Sequence, residues 1–310
     1  MFTTLLLLAL GLVLLSFGAD LLVRGASAIA SRLGMPPLII GLTVVAFATS
    51  APELVVSVKA SLAGQGDIAM GNVIGSNIFN VAIILGFSAL IFPLAVHLNI
   101  LRFDMPVMLG VSALFTVFLL SGGGLAPWEG SLLLAGLAVY LTWSVLLAKK
   151  EPTAPEILSV KTSGLPLNIT LVILGLAMLI GGGHLFVESA VTVARALGWS
   201  EAIIGLTVVA AGTSLPELAT SVVAALRRQT DIAIGNIVGS NIFNLLGIAG
   251  IASLARPVSA LGINWLDLGT MLFTSALLIP LMRTGYKILR WEGGVMLVCF
   301  CTYLWLRWPS

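Results

Sequence analysis

Charge is what this sequence lacks most. Only 9% of its 310 residues are Asp, Glu, Lys or Arg, about a third of the share in an ordinary soluble domain, while 59% are hydrophobic and the mean hydropathy is +1.12. That shortage excludes a soluble fold. The formal net charge of +2 is too small to suggest a nucleic acid or an acidic partner. Cysteine is nearly absent as well. Cys299 and Cys301 stand two apart, so on a helix they point in different directions and cannot bridge each other; they read as lipid- or core-facing side chains. The two histidines, His97 and His184, give nucleophilic or soft-metal chemistry little to work with.

What fills the chain is a near-continuous series of apolar stretches, each near the roughly 20 residues that cross a bilayer. Ten spans are expected, at 2–23, 37–64, 68–93, 103–121, 127–148, 166–190, 201–226, 231–255, 264–282 and 291–308, which makes an all-helical membrane protein. The first has no basic leader and runs past the apolar core of a secretory signal, so it reads as a retained helix. With the N-terminus outside, eleven of the fifteen Lys and Arg residues fall on the cytoplasmic side, leaving only Lys59, Arg195, Arg256 and Arg307 outside, as the positive-inside rule expects. This orientation and hydropathy suit a plasma (cell inner) membrane protein. The one polar connection of any length is 149–165, KKEPTAPEILSVKTSGL, too short for a regulatory domain.

A gapless shift of 164 residues lays one half of the chain on the other. GLTVVAFATSAPELVVSVKASLAGQGDIAMGNVIGSNIFN at 41–80 matches GLTVVAAGTSLPELATSVVAALRRQTDIAIGNIVGSNIFN at 205–244 in 27 of 40 positions. The organisation is therefore one five-helix repeat at 1–148, the linker 149–165, and a second five-helix repeat at 166–310. An odd number of spans per unit makes the second copy enter the membrane from the opposite side, the inverted-repeat plan of many secondary transporters, whose sites lie at the repeat interface near the midplane.

Glu53 and Glu217 lie inside long apolar spans, where an ionisable side chain costs at least about 2.5–3.5 kcal/mol and marks a functional site. The competing explanation, a glutamate snorkelling at a span end, fails because both copies keep it more than about two turns from either end. Each follows a proline, Pro52 or Pro216. Proline denies a hydrogen bond to the carbonyl four residues back and breaks the helix, and in lipid such backbone persists only beside a cavity or a partner. Carbonyls around Ala46 to Thr49 and Ala210 to Thr213 are thus candidate ligands, with the hydroxyls of Thr49, Ser50, Thr213 and Ser214 beside them. A kink satisfied by those same hydroxyls would be the ordinary reading without the adjacent glutamate.

In the next span, Asn72, Ser76 and Asn80 are spaced four apart, as are Asn236, Ser240 and Asn244, giving one polar stripe per helix. Gly71 with Gly75, and Gly235 with Gly239, form small-xxx-small pairs that let another helix approach. Ser76, Asn80, Ser240 and Asn244 are the expected ligands; Asn72 and Asn236 lie nearer the span entrance. An inventory of two carboxylates, carbonyls, hydroxyls and amides suits a hard cation, Ca²⁺ or Na⁺, better than Zn²⁺ or Cu⁺. Two unpaired buried carboxylates are costly to carry through a closed intermediate, so only loaded states should cross, which is exchange. No catalytic cofactor is called for, and the chain reads as a transporter, not an enzyme.

GTSLPEL at 212–218 and GNIVGSNIFN at 235–244 resemble the α-repeats of the sodium/calcium exchanger family, within the cation/calcium antiporter superfamily, in its prokaryotic form without a large insert between halves. The resemblance covers essentially the whole chain. It implies that Glu53, Glu217 and the backbone of Thr49 and Thr213 bind Ca²⁺. It further implies that Ala46, Ser50, Ser76, Ala210, Ser214 and Ser240 help hold Na⁺, with Asn80 in the centre. Asn244 departs from the pattern: many relatives carry aspartate there, and since that aspartate is associated with K⁺ in the potassium-dependent branch, its absence disfavours K⁺ co-transport. The first copy also reads ATSAPE where relatives often have GTSLPE, so Ala48 stiffens its break.

Asp20 and His184 occupy equivalent positions in the first helices of the repeats, as do Arg24 and Glu188; the resemblance implies that these helices slide in alternating access, while interfacial snorkelling or salt bridging near span ends is the reading favoured for the four side chains. The leading function is a Na⁺/Ca²⁺ antiporter with one chain as the functional unit; H⁺/Ca²⁺ exchange on the same fold is the near alternative. A cation channel is disfavoured, since it need not bury two symmetric carboxylates in broken helices. An intramembrane hydrolase using Ser50 or Ser214 lacks a suitably placed histidine.

Overall fold

The computed structural model describes residues 2–148, 164–198 and 210–307. Helices account for nearly all of them, and each expected span has its counterpart. In chain order these are Phe2–Leu33, Pro37–Thr49 with Ala51–Leu62, Gly66–Ile91, Ile100–Gly122, Pro127–Ala148, Leu165–Ala196, Ala210–Gly212 with Leu215–Leu226, Thr230–Ala255, Trp265–Arg283 and Arg290–Arg307. Seven of these are long and apolar enough to cross a membrane alone, and the bent pair Pro37–Thr49 and Ala51–Leu62 makes an eighth. Residues 210–226 are the described part of the expected span 201–226, whose residues 201–209 lie outside the described ones, as do linker residues 149–163. Arg290–Arg307 carries Arg290, Glu292 and Arg307 at its two ends.

The first and sixth helices run further than hydropathy suggests. Each is 32 residues long, about 48 Å at 1.5 Å per residue, against roughly 30 Å of hydrocarbon, so both must tilt or project beyond it. Charges that end an apolar window do not end a helix when they pair along it. Asp20 Oδ2 meets Arg24 Nε at 2.9 Å, Arg227 also contacts Asp20, and His184 Nε2 lies 3.2 Å from Glu188 Oε1. The salt-bridging explanation of these four residues therefore holds. What does stop the two helices is the repeat-related pair Gly34 and Gly198, in the left-handed region at φ +64° and +82°, a conformation that suits glycine at a helix C-terminus.

These two long helices pack antiparallel along a seam that repeats every seven residues. A Cβ on Gly18 would lie 2.8 Å from the Gly175 carbonyl oxygen, and one on Gly11 would lie 3.0 Å from that of Gly182. Backbones this close need small residues on both sides.

Two short ladders accompany the helices. Leu94–Ala95 pairs antiparallel with Lys287–Ile288, and Gly124–Leu125 with Val258–Ser259. The two ladders are copies of each other. In each, the loop after the third span of one repeat pairs with the loop between the fourth and fifth spans of the other, so the repeats are latched at both ends of Ile100–Gly122. Period-based reading cannot find two-residue strands.

Gly66–Ile91 and Thr230–Ala255 are the most enclosed spans and form the centre. The first broken span lies directly on the second repeat. A Cβ on Gly235 would be 2.9 Å from the Leu38 carbonyl oxygen, and one on Gly239 only 2.4 Å from that of Leu42, so this small-xxx-small pair does admit the neighbouring helix. For Gly71 and Gly75 the repeat-related neighbours fall outside the described residues. Cys299 and Cys301 are free, half-buried and exposed respectively, as expected of peripheral side chains.

Candidate functional site

Both glutamates sit at the first turn of a helix that restarts after a break. In the first copy Ser50 alone leaves the helix (φ −81°, ψ 8°), followed by Ala51–Leu62, and the two halves meet at 47°. In the second copy both Thr213 and Ser214 leave it before Leu215–Leu226. The wider break coincides with Gly212, where the first copy has Ala48, as the stiffening argument anticipates. Restarting a helix beside a carboxylate is electrostatically favourable, because unpaired N–H groups there carry partial positive charge.

The inversion brings the two breaks face to face, and the serines cross over. Ser214 Oγ donates to Glu53 Oε1 at 2.8 Å, and Ser50 Oγ donates to Glu217 Oε1 at 2.8 Å. Each glutamate is thus held by the other repeat, and each is only 1% exposed. Among the described residues the remaining carboxylate oxygens, Glu53 Oε2 and Glu217 Oε2, have no hydrogen-bond partner, and neither do Asn80 Oδ1, Asn244 Oδ1 and Thr213 Oγ1. Buried polar atoms are ordinarily satisfied. Five such oxygens belong to residues singled out from the sequence, and oxygen is the donor type a hard cation takes.

Two asparagines that the spacing argument passed over set this geometry. Asn80 Nδ2 donates to Asn241 Oδ1 at 3.0 Å, and Asn244 Nδ2 donates to Asn77 Oδ1 at 3.2 Å, again across the repeats. With each N–H₂ committed to a neighbour, the amide oxygen of Asn80 and of Asn244 is left for another partner. Asn77 and Asn241 stand three residues before Asn80 and Asn244, on the same helical face; only their duplication in the motif hinted at a role. A π-helical turn also begins at each of these asparagines, Asn80–Leu85 and Asn244–Ile248, and such turns concentrate at functional sites.

Asn72 and Asn236 do different work. Asn72 Nδ2 donates to the Glu53 carbonyl at 3.2 Å and to Ser57 Oγ at 2.9 Å, and Asn236 Nδ2 donates to Ser221 Oγ at 3.0 Å and to the Glu217 carbonyl at 3.4 Å. They tie down the first turn of each restarted helix. Ser76 Oγ lies 3.5 Å from Ser214 Oγ, and Ser240 Oγ donates to the Ala46 carbonyl at 3.4 Å. That carbonyl is not the one proline frees: the Ser50 N–H still bonds it at 3.0 Å, and Thr49 Oγ1 lies 3.4 Å away. Thr49 Oγ1 also donates to Asn236 Oδ1 at 3.1 Å. Ala210 opens the short helix Ala210–Gly212, which places its backbone beside the second break.

A cavity of about 360 Å³ reaches this cluster, bordered by Pro52, Gly183, His184, Thr213 and Pro216. It runs between the two breaks and the sixth helix and is lined by Pro52 and Pro216, the residues before the two glutamates. Among the described residues no three Asp, Glu, His or Cys side chains cluster. The cage is therefore carboxylate-poor and built mainly of amide, hydroxyl and carbonyl oxygens.

Ten spans in two inverted repeats, with paired breaks and a buried oxygen cage between them, define a multi-pass membrane transporter of cations. The family model described as "Sodium/calcium exchanger protein" matches residues 3–146 and 167–308, and the chain belongs to that family. It is 39% identical to the putative antiporter CaxA of Alkalimonas amylolytica, covering 97% of each chain. It is 34% identical to the sodium/calcium exchanger MaX1 of Methanosarcina acetivorans, covering 96% of this chain and 97% of that one. The solved sodium-calcium exchanger NCX_Mj superposes with a TM-score of 0.86 at 33% identity, covering 98% of this chain and 99% of that one.

Proposed function

We propose that this chain is a secondary active antiporter exchanging Na⁺ for Ca²⁺ by alternating access, with both ions as substrates. The observation that carries the reading is the crossed serine–glutamate pair, Ser214 to Glu53 and Ser50 to Glu217, around five unpaired buried oxygens. Glu53 and Glu217 supply the charge that balances one Ca²⁺. Thr49, Thr213, Asn80 and Asn244 complete its oxygen shell, and Ser50, Ser214, Ser76, Ser240 and the carbonyls of Ala46 and Ala210 offer neutral oxygens that suit Na⁺. Membership of an exchanger family and the names of the relatives MaX1 and NCX_Mj support the ion pair.

The chemistry enforces exchange in a simple way. A cage holding two unneutralised carboxylates out of water costs several kcal/mol per charge, so the closed intermediate is reachable only with cations aboard. The functional unit is one chain, because both halves of the cage come from it. The units are 1–148 and 166–310, joined by 149–165, and the family match to 3–146 and 167–308 supports these limits. The distribution of Lys and Arg supports an N-terminus outside, and the 40% identical inner membrane protein YrbG of Escherichia coli (strain K12) supports the cell inner membrane. Purified protein in vesicles tests the reading: ⁴⁵Ca²⁺ uptake should follow an imposed Na⁺ gradient. Flux that ignores Na⁺ and follows a pH gradient would replace it with H⁺/Ca²⁺ exchange.

A further inference from the structure

The repeats differ at one buried acid that plays no part in the cage. Asp267 opens the ninth span, accepts a hydrogen bond from the Tyr303 hydroxyl at 2.9 Å, and pairs with Arg307 Nε at 3.1 Å. The counterpart in the first repeat is Asp104, which accepts from the Tyr140 hydroxyl at 3.0 Å and is 6% exposed. Both tyrosines follow their aspartate by 36 residues, and four further on stands Arg307 in one copy and Ser144 in the other. Where the second repeat carries a guanidinium, the first has a serine and a cavity of about 70 Å³ bordered by Asp104, Tyr140, Ser144, Phe103, Trp143 and Leu38. Among the described residues Asp104 has no ion pair.

We propose that this cavity binds a primary alkylammonium cation, which supplies from outside the chain the charge that Arg307 supplies within it. Size and lining fit that chemistry. The cavity is several times the ~10–15 Å³ that admits one water, enough for an ammonium head and its first carbons. One carboxylate, two hydroxyls and the Asn99 amide among otherwise apolar walls fall short of the six to eight oxygens of Ca²⁺ but can serve the three N–H groups of an ammonium. Phe103 and Trp143 add aromatic faces of the kind that attract cations. The site lies where Pro37–Thr49 and Ile100–Gly122 begin and Pro127–Ala148 ends. Trp143 and Phe103 are 57% and 40% exposed there, as aromatic residues at a membrane–water interface are. At that depth the ethanolamine headgroup of a phospholipid presents a primary ammonium; a free amine presents the same group from solution.

Native mass spectrometry of the delipidated full-length protein tests this, using phosphatidylethanolamine, phosphatidylcholine and phosphatidylglycerol as probes. Phosphatidylethanolamine should bind in preference to the other two, and Asp104→Asn and Ser144→Arg should each weaken it at least about tenfold. Ser144→Arg repeats the arrangement the second copy already folds with, so it remains informative if Asp104→Asn disturbs the fold. Ethanolammonium without lipid distinguishes the sources: comparable binding identifies a free amine, and a requirement for acyl chains identifies the lipid. Equal phosphatidylethanolamine binding by wild type and both variants, or binding indifferent to headgroup, overturns the proposal.

Discussion

Removing the Ser214 hydroxyl is the most direct probe of how the repeats share their site. Ser214→Ala deletes a 2.8 Å hydrogen bond to Glu53 Oε1. Serine and glutamate are 0% and 1% exposed, so bulk water does not replace the lost donor. A hydrogen bond to a charged group contributes roughly 1.5–3 kcal/mol net, equivalent to roughly 10–150-fold in an equilibrium constant. The burial places the effect in the upper part of that range. The Ca²⁺ concentration giving half-maximal Na⁺-driven ⁴⁵Ca²⁺ uptake in proteoliposomes should rise accordingly. Because the Ser50 to Glu217 bond is also 2.8 Å and equally buried, Ser50→Ala should match it within about threefold on the same energetic scale. Thermal unfolding of both variants checks that they remain folded. A change below about threefold in folded Ser214→Ala would refute the crossed arrangement as the determinant of affinity.

Glu53→Gln and Glu217→Gln should each abolish Na⁺-driven Ca²⁺ flux while leaving the protein membrane-inserted and monodisperse by size exclusion, since each removes half the charge facing the ion; retained exchange in either removes that glutamate from the site. Asn244→Asp puts a third carboxylate in the cage, and the unpartnered Asn77 Nδ2 can turn to donate to it. The variant should therefore fold and show altered ion selectivity in competition flux with Na⁺, K⁺ and Ca²⁺, and an unchanged profile would place Asn244 outside the site. Gly239→Ala would set a Cβ 2.4 Å from the Leu42 carbonyl, an overpacking that costs about 1–3 kcal/mol; a melting temperature equal to wild type would show that the repeats are not packed this tightly.

The span pattern, the duplication and the two glutamates were legible in the chain because they are local or periodic properties. An apolar window reports lipid exposure, a proline reports a break, and a 27-in-40 match reports common ancestry of the halves. Inversion followed from the odd span count. The spacing of four through Asn72, Ser76 and Asn80 marked one polar helix face, yet it could not rank the residues on it. Asn72 secures the Glu53 backbone, whereas Asn80 leaves its oxygen unpaired, and that division depends on what stands opposite.

Everything that stands opposite comes from the other repeat. Ser214 reaches Glu53 across 161 residues of chain, Asn80 reaches Asn241 across another 161, and Ser50 reaches Glu217 across 167. No periodicity carries such pairings, because they arise only when the inverted halves dock. The same docking pairs Leu94–Ala95 with Lys287–Ile288 and lays the Gly18 backbone on Gly175. It also separates two aspartates of the same motif position, one facing Arg307 and one facing a cavity. The sequence by itself determined that this is a duplicated membrane protein with a repeat-related pair of glutamates inside its spans. Tertiary structure alone decided that each acid is held by the opposite half, because interactions between inverted copies are set by packing and not by order along the chain.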